Sequence, residues 1–123
     1  MTVQKGNKKV LVVDDDLIVR DFLTRFLSKQ GFVVKLVMSG QAAIEVLKEK
    51  NFDIVFLDIR MPFVDGITVY NQIKNKNPQL KFVLMSGYAV EDSLKDILGQ
   101  KNVFYIKKPF DIEELEEIIK QLK

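Results

Sequence analysis

Residues 10–16 read VLVVDDD: four apolar residues, Val10 to Val13, run straight into Asp14, Asp15 and Asp16. A short, unbroken apolar run of this kind reads as a buried strand. Its end is electrostatically unfavourable. Two carboxylates about 4 Å apart repel by roughly 4 kcal/mol at an effective dielectric near 20. Three of them together call for a compensating cation.

Working outward, similar runs recur at 9–13, 32–37, 53–57, 81–85 and 103–106, and amphipathic stretches alternate with them. In 17–30, Ile18, Phe22, Phe26 and Leu27 share one helical face, with Gly31 as a stop. Residues 40–50 carry Ala43, Ile44 and Leu47; residues 66–75 carry Ile67, Tyr70 and Ile73; residues 90–98 carry Val90, Leu94, Ile97 and Leu98, closed by Gly99. The last helix has the stripe Ile112, Leu115, Ile118, Ile119 and Leu122, with Asp111 and Glu114 as a capping pair. Five β-then-α units predict parallel strands, right-handed crossovers and helices on both faces of the sheet. The polar residues 1–8 are expected to form a flexible tail, with one domain from 9 to 123.

Composition narrows the chemistry. The 123 residues hold no cysteine and no histidine, so disulfides, thiolate metal sites and a histidine base are absent. A net charge of +2 with scattered lysines does not argue for nucleic acid. No apolar run reaches membrane-spanning length, and MTVQKGNKK lacks a signal-peptide core. A cytoplasmic protein that does not contact the membrane is the expectation.

Ligands of such sheets sit beyond the carboxyl ends of the strands, where strand order reverses. The first and third strands end in acids, Asp14 to Asp16 and Asp58; the fourth ends in Ser86 and Gly87, and the fifth in Lys107, Lys108 and Pro109. If the acids converge, the first and third strands are neighbours and the order is 2-1-3-4-5. Carboxylates without histidine or cysteine suit Mg²⁺, with Mn²⁺ as its substitute. A carboxylate beside such an ion can act as a nucleophile toward a phosphoryl group, whose charge the metal and a lysine would stabilise.

This ordered set of motifs resembles the receiver domain of two-component response regulators: VVDD, FLD followed by MP and DG, then Ser86, then KPF. The resemblance spans Lys9 to Leu122. It implies a flavodoxin-like (βα)5 fold in three α/β/α layers. Asp58 is then the phosphoacceptor. Asp14, Asp15, Asp58 and the Arg60 carbonyl hold Mg²⁺, while Ser86, Gly87 and Lys108 bind the phosphoryl group. Ser86 and Tyr105 form the switch, and Lys108–Pro109 is cis. It further implies a phosphohistidine donor on a sensor histidine kinase or phosphotransfer protein. A downstream protein target would meet the face built from the fourth helix, fifth strand and fifth helix. The chain would catalyse its own phosphorylation and dephosphorylation without being a turnover enzyme, and no DNA-binding domain is expected in it.

Other residues carry plainer roles. Asp16 reads as a helix cap, Asp65 before Gly66 as a turn or cap residue, and Lys107 as solvated. Phe63 in MPFVDG stands where the family often has a small residue, and Arg60 follows two residues after Asp58. Asp15→Asn is expected to relieve repulsion in the metal-free fold. Two rival functions differ in the labelled residue: a haloacid-dehalogenase-type phosphatase would use Asp14, and a non-phosphorylated docking module would take no label.

Overall fold

The computed structural model describes residues 7–87 and 92–122. Five strands, β1 (Lys9–Val13), β2 (Val33–Val37), β3 (Ile54–Asp58), β4 (Lys81–Ser86) and β5 (Val103–Lys107), alternate with five helices. The helices are α1 (Leu17–Lys29), α2 (Gly40–Glu49), α3 (Gly66–Ile73), α4 (Asp92–Leu98) and α5 (Ile112–Leu122). All neighbouring strands pair in parallel, in the order β2-β1-β3-β4-β5. The order reverses between β1 and β3, which sets Asp14 and Asp58 at the ends of adjacent strands.

The period-2 alternation of a strand sorts the core into two layers. Leu11, Val13, Val55, Leu57, Phe82 and Leu84 face α2, α3 and α4. Val10, Val12, Ile54, Phe56, Val83 and Met85 face α1 and α5. Every residue of β3 is buried, in keeping with the unbroken apolar run from Ile54 to Leu57. Local signals set the helix starts. Asp16 accepts from Ile18 N–H at 2.9 Å, and Asp65 accepts from Thr68 N–H at 2.9 Å. Asp111 and Glu114 exchange reciprocal bonds of 2.8 and 3.3 Å. Ser39, which the sequence left without a role, caps α2 through Ala42 N–H at 3.1 Å.

The expected face of α1 is corrected. Leu23 and Leu27 are its buried residues, whereas Ile18 is 79% exposed and Phe22 36%. Ile18, Phe22 and Phe26 do share a stripe, but a stripe of fourfold spacing drifts around a 3.6-residue helix, so its start lies off the sheet. In α3 the buried set includes Val69 as well as Tyr70 and Ile73. Val90 and most of the expected tail, residues 1–6, lie outside the described residues. Lys8 is held by its carbonyl, which accepts from Val33 N–H at 3.0 Å, and by its ammonium, which donates to the Leu122 carbonyl at 2.9 Å. Among the described residues, no helix is long and apolar enough to cross a membrane.

Candidate functional site

The carboxyl ends of β1, β3, β4 and β5 bring together residues far apart in sequence. Asp14 is fully buried, Asp58 is 5% exposed and Ser86 is 3% exposed. Asp14, Asp15 and Asp58 each offer an oxygen within 4.8 Å of the others. Lys108 reaches in from the end of β5, donating to Asp14 Oδ2 at 2.7 Å and lying 3.4 Å from Asp58 Oδ2. The remaining oxygens are oriented by backbone. Asp14 Oδ1 accepts from Asp16 N–H at 2.8 Å, and Asp58 Oδ1 accepts from Arg60 N–H at 3.1 Å.

These contacts revise the repulsion inferred from the sequence. Asp15 is exposed, so water screens its charge, and the unfavourable pair is Asp14 with Asp58. Burial, and then the Asp14 charge, push the Asp58 carboxyl up from 3.8 to about 6; Lys108 and the Arg60 N–H pull the other way. Burial alone would lower the Lys108 ammonium, but the carboxylates of Asp14 and Asp58 outweigh it and hold its pKa above the usual lysine value. One ammonium against three carboxylates leaves two negative charges at the site. That residue of charge and an all-oxygen donor set fit a hard divalent cation such as Mg²⁺.

Two glycines let the loops close around this centre. A Cβ on Gly66 would overlap the Asp58 carbonyl oxygen, so α3 can start against the end of β3 only with glycine there. A Cβ on Gly40 would likewise overlap Val64. On the other side, Lys108 N–H donates to the Ser86 carbonyl at 2.8 Å, locking the ends of β4 and β5 together. Gly87 follows, exposed, and the Lys108–Pro109 bond is cis. Tyr105 is half-buried on the α4 side of β5, and Lys107 is exposed. Beside the site, Phe22 packs against Phe110 with ring centroids 6.1 Å apart. This half-exposed aromatic pair joins residues 88 apart and has no signature in the local pattern.

A doubly wound sheet with a buried acid pair and a lysine at its reversal point has the charge and the oxygen donors to suit a divalent cation. The response regulator receiver domain family model matches residues 10–120, and the chain belongs to that family. It is a phosphoacceptor module of two-component systems and not a turnover enzyme. The transcriptional regulatory protein ZraR of Klebsiella oxytoca is 36% identical over 87% of the chain, and that match covers 24% of ZraR. The chain thus spans about a quarter of the length of the ZraR relatives it matches. Among solved structures, Thermotoga maritima response regulator TrrA in complex with Mg²⁺ and beryllofluoride is 31% identical, with a TM-score of 0.80, covering 94% of this chain and 99% of TrrA. A structure of TrrA in complex with the histidine kinase ThkA has a TM-score of 0.79 at 31% identity, covering 94% of this chain and 97% of the matched one.

Proposed function

We propose that Asp58 accepts a phosphoryl group from a phosphohistidine, with Mg²⁺ held by Asp14, Asp15, Asp58 and the Arg60 carbonyl. The observation that carries this reading is the unequal engagement of the two buried acids. Both oxygens of Asp14 are committed, to Lys108 at 2.7 Å and to Asp16 N–H. Asp58 Oδ2 makes the longer 3.4 Å contact with Lys108, and burial raises its basicity. Asp58 therefore keeps an oxygen for attack, which also weighs against a phosphatase acting through Asp14.

In the step itself, an Asp58 oxygen forms the new bond to phosphorus as the phosphorus–nitrogen bond of the donor breaks. The electron pair returns to the imidazole nitrogen of the donor. Mg²⁺ held by these residues would offset charge on the transferring group. Lys108 turns from Asp14 to a phosphoryl oxygen, and the Ser86 hydroxyl and Gly87 N–H take others. Phosphorylation replaces one carboxylate charge with about two and adds acceptor oxygens. Because Lys108 N–H is bonded to the Ser86 carbonyl, the two ligands move together. Tyr105 turns inward, and the α4–β5–α5 face changes the surface it offers a downstream target.

The donor is a sensor histidine kinase or a histidine phosphotransfer protein; the complex of the related TrrA with a kinase supports this. Such a donor must cover the rim formed by Ile18, Phe22, Pro109 and Phe110, whose apolar surface suits a protein partner. This reading implies a cytoplasmic chain, in keeping with the cysteine-free sequence. The deciding experiment is mass mapping after treatment with acetyl phosphate and Mg²⁺, with Asp58→Asn as control. Label on Asp58 is expected; label on Asp14, or none from either acetyl phosphate or a kinase, overturns the reading.

A further inference from the structure

The loop from β3 to α3 holds a feature that the phosphoacceptor chemistry leaves unused. Val64 N–H donates to the Pro62 carbonyl at 2.8 Å, and Phe63 between them has a φ of 67°. A bond to the carbonyl two residues back, around a positive φ, marks the rarer and strained form of γ-turn. Glycine or asparagine tolerates that backbone far better than a bulky L-residue. Nor does packing compensate, because Phe63 is fully exposed at 106% relative accessibility.

The loop has no freedom to tuck this ring away. Gly40 packs against Val64 on one side, and Gly66 packs against the Asp58 carbonyl on the other, both too closely for a Cβ. Gly66 N–H also donates to the Ile59 carbonyl at 2.9 Å. Phe63 is therefore an aromatic side chain held outward on a fixed mount, five residues after Asp58. Lone exposed hydrophobics are ordinary on protein surfaces. One that also strains its backbone, beside a reaction centre, points to a use outside the fold.

Resting on Asp58 as phosphoacceptor, we propose that Phe63 is a specificity-determining contact for the protein that delivers the phosphoryl group. A rigid aromatic loses little freedom on binding and fills a pocket in its partner well. The occupant is the donor because its phosphorus must lie in line with an Asp58 oxygen, so its surface must cover the loops at the carboxyl edge of the sheet. Leu17, Ile18 and Met38, all exposed after β1 and β2, extend an apolar rim along that edge. The downstream target would meet β5 and its flanking helices, two strands away from β3.

The test separates protein donors from small ones. Autophosphorylated histidine kinases of the source genome, alone or together with its histidine phosphotransfer proteins, are screened for the one that loads the wild-type chain fastest. That kinase is then used on Phe63→Asn, Phe63→Gly and Phe63→Tyr. Transfer kcat/KM should fall about tenfold or more for the Asn and Gly variants, the loss typical of an interface anchor, while Tyr stays within about threefold. Labelling by acetyl phosphate with Mg²⁺ should remain within about twofold for all three, and Phe63→Asn should melt no lower than wild type. Kinase transfer to the Asn and Gly variants within about threefold of wild type overturns the proposal. So does an equal loss with both donors, which would put Phe63 in the reaction centre itself, and so does a screen in which no kinase loads the chain. A wild-type chain labelled at a residue other than Asp58 instead defeats the reading on which the proposal rests.

Discussion

Asp58→Asn should stabilise the metal-free protein at neutral pH, and the gain should disappear in acid. The Asp58 carboxyl is raised from 3.8 to about 6 by burial and by Asp14. A raised carboxyl pKa means that the folded chain holds the proton more tightly than the unfolded chain does. Folding stability is therefore lost as pH rises from about 4 to about 6, and the loss is complete above that window. Roughly two pKa units correspond to about 3 kcal/mol. Asparagine keeps the shape without the charge and escapes this loss. Urea unfolding in EDTA, run on both proteins from about pH 4 to pH 8, measures it. The stability difference between variant and wild type should grow by about 2–3 kcal/mol over that range, or ~0.7–3 M in urea midpoint for a slope of about 1–3 kcal/mol/M. A difference that stays flat with pH, or shrinks, refutes the reasoning. Excess Mg²⁺ at pH 7 should close the gap, because it binds the folded wild type preferentially.

Four further outcomes follow from the same contacts. Lys108→Met leaves Asp14 and Asp58 buried without a cation; at pH 7 in EDTA it should cost about 2–4 kcal/mol by urea unfolding, partly restored by Mg²⁺. Asp15→Asn, at an exposed position, should change metal-free stability by no more than about 0.5 kcal/mol while weakening Mg²⁺ binding measured by titration calorimetry. Gly66→Ala forces a Cβ into the Asp58 carbonyl and should destabilise by about 1–3 kcal/mol in thermal unfolding. Asp111→Ala removes one half of the α5 capping box and should cost about 1 kcal/mol, read by the same melt.

The strand order was legible because chemistry and topology had to agree: Asp14 and Asp58 converge only if β1 and β3 are neighbours. The caps Asp16 and Asp111 were legible because each precedes a periodic apolar stretch, while Asp65, beside Gly66, read equally as a turn. The buried face of α1 was not, since Ile18 and Leu23 are equally apolar and only the sheet decides which of them it covers. The split between Asp14 and Asp15 was hidden for a related reason. Adjacent residues at a strand end point in different directions, and Asp14 finds its partner in Lys108, 94 residues further along the chain. The turn at Phe63 had a signal in MPFVDG, a bulky residue where small ones are common, but its backbone conformation follows from the close packing of Gly40 and Gly66 on either side.

Lys108 lies between two acids that a divalent ion would also claim. It acts as a counter-ion on a leash, always present and never diluted. A metal entering the site would have to contend with that resident charge, which would weaken its hold on the acids. On the proposed reading of Asp58 as phosphoacceptor, the same leash would make the ammonium available to an arriving phosphoryl group, so that one side chain would serve the acids at rest and the product of the reaction.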